Sequence, residues 1–248
     1  MTHPTVTRDQ WLVERRALLA REKALTQLQD QIAEQRRALP WVRLRQDYAL
    51  DTPAGPRRLA ELFQGRRQLL VQHFMFGPGW AEGCKSCSYM ADHLDAMTPH
   101  LAQRDIALLV VSRAPLAEIE PFRQRMGWRF PWASSHGSTF NQDFNVSFGP
   151  QDRVDGAVFY NYEMRPFPAT EAPGISIFCK DEAGDVFHTY STFGRGVEVM
   201  MGTYGLIDLT PRGRDEAELE YTMAWVRHHD RYEHAEAPAP ASCCATRA

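Results

Sequence analysis

Residues 69–101 of this chain, LLVQHFMFGPGWAEGCKSCSYMADHLDAMTPHL, contain the pattern that most strongly constrains its fold. A strand-like apolar run at residues 69–76 leads into the pair Cys84-Lys-Ser-Cys87, and an amphipathic helical stretch follows at residues 89–101. Two thiols three positions apart at a strand-to-helix junction can close a small disulfide ring and reopen it. The helix N-terminus favours the thiolate form of the first thiol. The pattern therefore predicts a dithiol suited to thiol–disulfide exchange.

Strand and helix patterns alternate along the rest of the chain. The further elements are a strand at residues 106–112, a helix opened by Pro115, a hairpin of strands at 175–180 and 186–190, and a helical stripe at 197–204 closed by Gly205. Strand–helix–strand order implies parallel pairing. The order predicts an α/β protein with a thioredoxin-like fold, in which helical layers cover both faces of a mixed central sheet.

The predicted domain organisation has three parts. Residues 1–40 form an N-terminal helical arm, residues 41–232 a thioredoxin-like domain, and residues 233–248 a flexible tail. The aromatic, turn-rich residues at about 127–173 are interpreted as an insertion before the final hairpin. A last helix is expected at residues 215–231.

The arm begins with a capping box, because Thr7 is followed three residues later by Gln10. Its apolar stripe is only one residue wide, which is too narrow for a long coiled coil. Packing of the arm on the domain or on a partner subunit is therefore expected, and a homodimer through this helix is one expected assembly. The stripe consists of Trp11, Leu18, Leu25 and Ile32.

Composition and charge argue against several classes of protein. Hydrophobic residues make up 44% of the 248 residues and charged residues 24%, as in an ordinary globular domain. The net charge is -3, and the sequence lacks a basic stripe with interleaved aromatics. These features argue against a nucleic-acid-binding surface. No run approaches the ~18 apolar residues of a membrane span, and the first residues lack the apolar core of a signal peptide. We therefore expect a cytoplasmic protein without nucleic-acid or membrane partners.

The cysteines point to chemistry more than to a disulfide scaffold. There are five, an odd number in a long chain without a secretion signal. A free thiol with a pKa of ~8.5 is only about 3% thiolate at neutral pH, whereas a pKa near ~7 gives about half. Cys84 lies where the helix amides can supply that shift, with Lys85 as a weaker helper, so we expect Cys84 to be the nucleophile. Cys87, one turn further into the helix, is expected to be the resolving thiol.

Two other interpretations of the pair are open at this level. The spacing occurs by chance, or it is half of a zinc site, although a zinc site would need a second ligand pair at metal-binding spacing. The flanking strand and helix favour redox chemistry.

Several motifs in order resemble a bacterial family known as domain of unknown function eight-nine-nine. The central ones are His73-Phe-Met-Phe-Gly-Pro-Gly-Trp80, Gly83-Cys-Lys-Ser-Cys-Ser88 and Ala91-Asp-His93. Further matches are Arg36-Arg-Ala-Leu-Pro-Trp41, Phe187-His-Thr-Tyr-Ser-Thr192 and Trp225-Val-Arg-His-His-Asp230. The resemblance covers roughly residues 8–235. It implies a thioredoxin-like fold and, by analogy, a dithiol–disulfide oxidoreductase.

The chain departs from better-known thioredoxin-like proteins. Thioredoxin has Trp directly before its first cysteine, whereas here Gly83 takes that place and Trp80 lies four residues before Cys84. Peroxiredoxins have Thr or Ser three residues before the peroxidatic cysteine, and here Ala81 stands there. Direct peroxide reduction of that type is disfavoured.

Other residues are candidates for supporting roles, and each has a structural alternative. By the fold analogy, Pro173 would be a cis-proline facing the dithiol, but it is otherwise an ordinary proline at the start of a strand. His93 either borders the core or transfers protons near Cys87. His188 and Tyr190 alternate along a strand and should share a face. There His188 would assist thiolate formation, complete a metal site or serve as a cross-strand contact.

The remaining polar and sulfur-containing residues are assigned more ordinary roles. His228, His229 and Asp230 are expected to cap and solvate a helix end, and Cys179 to be an inert core thiol. The pair Cys243-Cys244 in the tail has three interpretations. Either it is incidental, or it shuttles electrons to the main pair, or it binds soft metal.

Three functional hypotheses follow from these observations. The first is a dithiol–disulfide oxidoreductase that acts on a disulfide substrate without an organic cofactor. Because the sequence has neither a GxGxxG fingerprint nor a Walker motif, its electrons would come from a protein or a small thiol. The second, by analogy with copper-handling thioredoxin-like proteins, is a module that binds copper or another soft metal through Cys84, Cys87 and His188. The third is a non-catalytic interaction protein that uses the arm at residues 11–39.

Overall fold

The N-terminal part of the computed structural model, which describes residues 3–232, is a single long helix. The chain divides into two compact units, one up to Trp41 and the other from Val42 onward. In the first unit, α1 spans Arg8–Arg37 and none of its residues is buried. Gln10 N donates to Thr7 Oγ1 at 3.3 Å and Thr7 N donates to Gln10 Oε1 at 3.0 Å, which confirms the predicted capping box. A homodimer through α1 stays a prediction.

The second unit is organised by an eight-stranded mixed sheet. Its strands are β1 Val42–Arg43, β2 Ala49–Thr52, β3 Gly55–Arg58, β4 Gln68–His73, β5 Ile106–Ser112, β6 Trp132–Ser134, β9 Gly174–Lys180 and β10 Val186–Phe193. They are ordered β1-β10-β9-β4-β5-β6-β2-β3 across the sheet. A separate hairpin is formed by β7 Ala157–Tyr160 and β8 Glu163–Pro166.

The helices of this unit are of unequal length. The α-helices are α2 Lys85–Ala102, α3 Leu116–Arg125, α4 Phe140–Asp143 and α5 Gly202–Ile207. The 3-10 helices are Leu59–Phe63, Pro150–Asp152, Gly194–Met200 and His229–Arg231. None of the helices in the part of the chain described here is long and apolar enough to cross a membrane.

The strand order establishes the predicted thioredoxin-like fold. β4 and β5 are parallel and are joined by α2, whereas β9 runs antiparallel to β4 and β10 antiparallel to β9. The resulting order β10-β9-β4-β5, with a helix between the parallel strands, is that of the thioredoxin fold. Because successive side chains of a strand point to opposite faces, β5 contributes Leu108 and Val110 to one core and Leu109 and Val111 to the other.

The predicted helix at residues 215–231 is wrong. The chain forms turns there, and only His229–Arg231 makes a 3-10 turn. Asp215 and Met223 have φ values of 51° and 68°, in the left-handed region that interrupts a right-handed helix. We call residues 208–228 the C-terminal segment.

Candidate active site

The dithiol lies at the carboxyl edge of the central strands. β4 ends at His73, and after a loop Cys84 forms the N-cap of α2. Cys84 N donates to Met75 O at 3.0 Å, and both the amide and the hydroxyl of Ser88 donate to Cys84 O at 2.9 Å. These backbone contacts fix the first cysteine at the junction where strand and helix meet.

The two thiols differ in exposure. Both are free, and Cys84 is partly exposed whereas Cys87 is completely buried. The amide of Met75 lies 3.5 Å from Cys87 Sγ, and Gln72 Nε2 donates to Cys87 O at 3.3 Å. A molecule arriving from solvent therefore meets Cys84 first.

The environment separates the acidities of the two thiols. The pKa of Cys84 is lowered to about 7 by hydrogen bonds, first from the Cys87 thiol and then from the amides of Cys87 and Ser86 and the Ser86 side chain. Burial of Cys84 opposes this shift. Burial, together with the hydrogen bond and the negative charge of Cys84, raises the pKa of Cys87 well above its usual range. At neutral pH the pair can hold a thiolate at Cys84 and a proton at Cys87.

We expect alkylation of Cys84 by iodoacetamide to rise with pH around a midpoint of about 7, the pKa to which its neighbours lower it, and to be faster than that of Cys87. Replacement of Cys87 by alanine removes the thiol that stabilises the thiolate, so the midpoint should move upward towards that of a free thiol. Cys87→Ser retains a hydroxyl donor and should keep more of the shift. Mass spectrometry of alkylated peptides over a pH series measures the midpoint in the unmodified protein and in both variants. Equal rates for both thiols, or an unchanged midpoint in Cys87→Ala, would contradict the assignment.

Both cysteines line a large cavity, which we call the thiol cavity. Its volume is about 940 Å³. It lies among α2, the β7–β8 hairpin, the 3-10 helix Gly194–Met200 and the C-terminal segment. Its apolar lining includes Met75, Met90, Pro173, Val197, Met201 and Met223.

Pro173 faces the same cavity as the dithiol, directly before β9. No peptide bond in the described range 3–232 is cis, so the bond that precedes Pro173 is trans. Tyr160 Oη donates to Pro173 O at 2.7 Å, and the amide of Gly194 donates to Tyr160 Oη at 3.0 Å. Burial raises the pKa of Tyr160 to about 12, so this phenol keeps its proton. Its hydrogen bonds connect Pro173 to Gly194.

A buried ion pair that no sequence motif indicates anchors the segment that leads to Pro173. The Glu171 side chain is 2% exposed, and Arg113 Nε donates to its Oε1 at 2.7 Å. The Ser147 hydroxyl also donates to Glu171. Burial raises the pKa of this carboxyl, and the bonds from Arg113 and Ser147 oppose that rise. The only sequence signal was an acidic residue two positions before the proline.

His228 is also part of the site region, which corrects its expected role as a helix cap. It is 7% exposed, and its Nε2 lies 2.9 Å from the carbonyl oxygen of Gly83, the residue before Cys84. Arg125 contacts its Nδ1 at 2.9 Å. Glu82 accepts from both Arg125 and Arg231. The end of the C-terminal segment therefore supports the loop that carries the nucleophile.

The neighbours of His228 are also bound to other parts of the domain. His229 Nδ1 lies 2.7 Å from Asp92 Oδ1, and Asp230 pairs with Arg125 at 3.2 Å. No long helix precedes them for these residues to cap, and their side chains tie this part of the chain to α2 and α3.

Lys85, Trp80 and His93 lie near the dithiol in sequence but do not line the thiol cavity. Lys85 Nζ donates to Ala224 O at 3.4 Å. A side chain on Gly77 would lie 2.9 Å from Trp80 Nε1, which places the indole against that turn.

His93 of α2 contacts Tyr89 of the same helix and Thr203 of α5. Its Nδ1 lies 2.8 Å from Tyr89 O, and its Nε2 lies 2.8 Å from Thr203 Oγ1. Nδ1 thus bonds within α2 and Nε2 joins α2 to α5, so both ring nitrogens are engaged away from Cys87.

The expectation that His188 and Tyr190 share a face is wrong. The register of β10 shifts between them, so that His188 pairs with Phe178 and Tyr190 with Ile177. Phe178 and Ile177 are adjacent in β9 and point to opposite faces, and a β-bulge of this kind reverses the alternation. His188 packs against Phe144 and Phe178, on the sheet face away from the dithiol core.

The copper-site alternative fails for the same reason. His188 and the two thiols lie against opposite faces of the sheet, and His188 Nε2 is 2.8 Å from Ser191 Oγ. Within residues 3–232 no three His, Cys, Asp or Glu side chains are grouped closely enough to hold a metal ion.

The other cysteines are separate from the dithiol within the described range. Cys179 is half-buried in β9 and pairs with Gln68, the first residue of β4, at the opposite end of that strand from the dithiol. Burial raises the pKa of its thiol, consistent with low reactivity. Cys243 and Cys244 lie outside the described residues.

The fold is similar to several solved structures at low sequence identity. Peroxidoxin BcpB from Mycobacterium tuberculosis is 18% identical, with 68% of this chain and 96% of that chain covered and a TM-score of 0.41. Peroxiredoxin Q from Xanthomonas campestris is 11% identical, with 64% and 90% covered and a TM-score of 0.43. A protein assigned as thiol:disulfide interchange protein DsbE from Chlorobium tepidum is 13% identical, with 66% and 97% covered and a TM-score of 0.41. Likenesses of this size identify neither an activity nor a substrate.

The family comparison is more specific. A comparison with curated proteins gave no match. A family model described as "Bacterial protein of unknown function (DUF899)" matches residues 1–232. The matched span includes α1, the dithiol, the thiol cavity and His228, and it confirms the resemblance drawn from the motifs. The chain belongs to this family of bacterial proteins.

Proposed function

We propose that this protein is a thiol–disulfide oxidoreductase in which Cys84 is the nucleophile and Cys87 the resolving thiol. The observation that carries the proposal is the asymmetry of the pair. A partly exposed thiol with a pKa lowered to about 7 lies at the start of α2, and a buried thiol with a raised pKa hydrogen-bonds it from one turn further along. Both cysteines line one cavity.

The arrangement supports a two-step exchange. The Cys84 thiolate attacks one sulfur of a disulfide, the substrate S–S bond breaks, and the first half leaves as a thiolate with the bonding electrons. Loss of the negative charge on Cys84 removes part of what raises the pKa of Cys87. Cys87 then gives up its proton, to the departing thiolate or to water, and attacks Cys84 Sγ. The second half leaves, the protein pair is oxidised to a disulfide, and the substrate is reduced by two electrons.

Turnover requires that the oxidised pair be reduced again. The sequence carries no dinucleotide or nucleotide fingerprint, so we expect the electrons to come from a protein thiol or a small thiol. The same chemistry runs in reverse if the partner is a reduced substrate, and the redox potential of the Cys84/Cys87 pair decides the direction.

We expect Cys87→Ser to trap its substrate or donor as a covalent adduct. Attack by Cys84 still occurs in this variant, but the mixed disulfide has no internal thiol to resolve it. Non-reducing gel electrophoresis and mass spectrometry of the adduct, before and after excess dithiothreitol, detect it.

The matched control is Cys84→Ser, which should trap nothing. The variant Cys179→Ser should behave as the unmodified protein, since its thiol lies at the far end of β4. Adducts that form mainly through Cys243 or Cys244, or equal trapping by both single variants, would show that the Cys84/Cys87 pair is not the active site.

A further inference from the structure

The thiol cavity has the size of a small-molecule site. Its volume of about 940 Å³ lies within the range of ~300–1,000 Å³ usual for ligand pockets. Besides the dithiol loop, it is bounded by Phe167 next to the β7–β8 hairpin and by Tyr221 and Thr222 of the C-terminal segment. The dithiol therefore lies in a pocket that several other elements of the domain help to form.

The interior of the cavity is apolar and adaptable. Four methionines line it together with the two thiols, namely Met75, Met90, Met201 and Met223. Met90 is 1% exposed and Met201 5% exposed, so both belong to the packed core beneath the cavity. Methionine is flexible and polarizable, and it accommodates apolar groups of varied shape. The lining therefore favours aliphatic or aromatic substituents.

The cations of the cavity are already neutralised by carboxylates. Arg214 pairs with Glu198 at 3.1 Å and with Asp208 at 2.9 Å. Arg195 Nε donates to Glu198 at 2.9 Å. A substrate carboxylate would have to compete with these partners for a guanidinium.

The other charged groups of the lining also have protein partners, which for Glu216 are neutral hydrogen-bond donors. Glu216 accepts from Tyr204 Oη at 2.5 Å and from Trp225 Nε1 at 2.7 Å. Arg165 pairs with Glu163 at 3.4 Å near the rim. Within the described residues, each charged side chain that lines the cavity forms a hydrogen bond or an ion pair with another protein side chain.

We propose that the substrate of the thiol cavity is a small organic disulfide with apolar, uncharged substituents, in preference to a carboxylate-bearing disulfide or a folded protein. The proposal rests on the function proposed above for Cys84 and Cys87. One substituent occupies the methionine-lined interior while Cys84 attacks the adjoining sulfur. The reaction is the exchange already described, and a dithiol such as dithiothreitol restores the reduced pair.

The test compares two activated aromatic disulfides that differ in charge. Dipyridyl disulfide is neutral, and dithiobisnitrobenzoate carries a carboxylate on each ring; each releases a coloured product. Stopped-flow rate constants of the reduced protein are divided by those of free dithiothreitol, which removes the difference in intrinsic reactivity. The normalised rate constant for dipyridyl disulfide should exceed that for dithiobisnitrobenzoate by about tenfold or more, the discrimination that a binding pocket commonly provides.

A variant at the edge of the cavity tests where the preference arises. Thr222 is exposed and lines the cavity, so its replacement leaves the core intact. Thr222→Lys adds an unpaired cation and should raise the relative rate with dithiobisnitrobenzoate several-fold. Thr222→Gln adds length without charge and should leave the preference unchanged. Glutathione disulfide, with its carboxylates, should be a poor substrate of the unmodified protein.

The outcomes separate this inference from the proposed function. If Cys84→Ser and the unmodified protein react equally with both probes, the proposed function fails. If the reaction depends on Cys84 but shows no preference for the neutral probe, or prefers glutathione disulfide or a folded protein disulfide, the substrate class proposed here is overturned and the dithiol chemistry stands. An equal effect of lysine and glutamine at position 222 would also overturn it.

Discussion

Replacement of Cys84 by serine is expected to lower the rate of disulfide reduction by about 10³-fold or more, the order of loss that follows removal of a catalytic nucleophile. The thiolate is the species that attacks a disulfide, and a serine hydroxyl in the same place stays protonated at neutral pH. The contacts that lower the pKa of Cys84 to about 7 have no reactive sulfur to act on in this variant. Steady-state reduction of dipyridyl disulfide with dithiothreitol as the reductant, after subtraction of the direct reaction between these two reagents, measures the loss.

Two control variants separate a chemical effect from a structural one. Cys179→Ser removes a half-buried thiol outside the thiol cavity and should keep full activity. In a single-turnover reaction without dithiothreitol, Cys87→Ser should release the first half of the substrate at close to the normal rate and then stop at the mixed disulfide. Retention of full steady-state activity in Cys84→Ser would falsify the proposed role.

Replacement of Arg113 by alanine is expected to destabilise the fold by about 3–5 kcal/mol, as is usual when one partner of a buried ion pair is removed. The Glu171 side chain is 2% exposed and would lose both bonds from the guanidinium. Because Glu171 lies two residues before Pro173, local loosening should also reach the lining of the thiol cavity. Urea unfolding followed by tryptophan fluorescence measures the loss of stability.

The loss should depend on pH in a defined direction. Burial raises the pKa of Glu171, so the folded state binds a proton more readily than the unfolded state. Stability therefore falls as the pH rises from the ordinary carboxyl pKa through the raised one. Without Arg113 the pKa rises further, so Arg113→Ala should be less destabilised near pH ~5 than near pH ~8.

Two further variants test the origin of the effect. In the double variant Arg113→Ala with Glu171→Gln, no buried charge remains, and part of the lost stability should return. Arg212→Ala is the matched surface control, since the Arg212–Asp215 pair at 3.2 Å is 87% and 70% exposed, and its loss should cost less than about 1 kcal/mol. A similar loss in both arginine variants, or one that is independent of pH, would mean that the buried carboxylate is not the cause.

The amino-acid sequence by itself determined the core of the fold and the place of the dithiol. The apolar run that became β4, the pair Cys84/Cys87 and the amphipathic α2 follow one another directly in the chain. Their chemistry is local, since the amides of Ser86 and Cys87 and the Cys87 thiol that stabilise the Cys84 thiolate lie within three residues of it. The capping box of α1 was predictable for the same reason, because Thr7 and Gln10 are three residues apart.

Only the tertiary structure decided what surrounds the dithiol. Arg113 and Glu171 are 58 residues apart in sequence, and His228 and Gly83 are 145 apart, so no local pattern could pair them. The bulge in β10 is a property of pairing with β9. Strict alternation would put His188 and Tyr190 on the same face of the sheet, whereas the bulge puts them on opposite faces. The sequence predicts a helix at residues 215–231, yet this part of the chain forms turns beside the thiol cavity. Its contacts with the domain outweigh a weak local helix preference. A cavity depends on elements that are distant in the chain, and its shape and charge balance therefore exist only in the folded molecule.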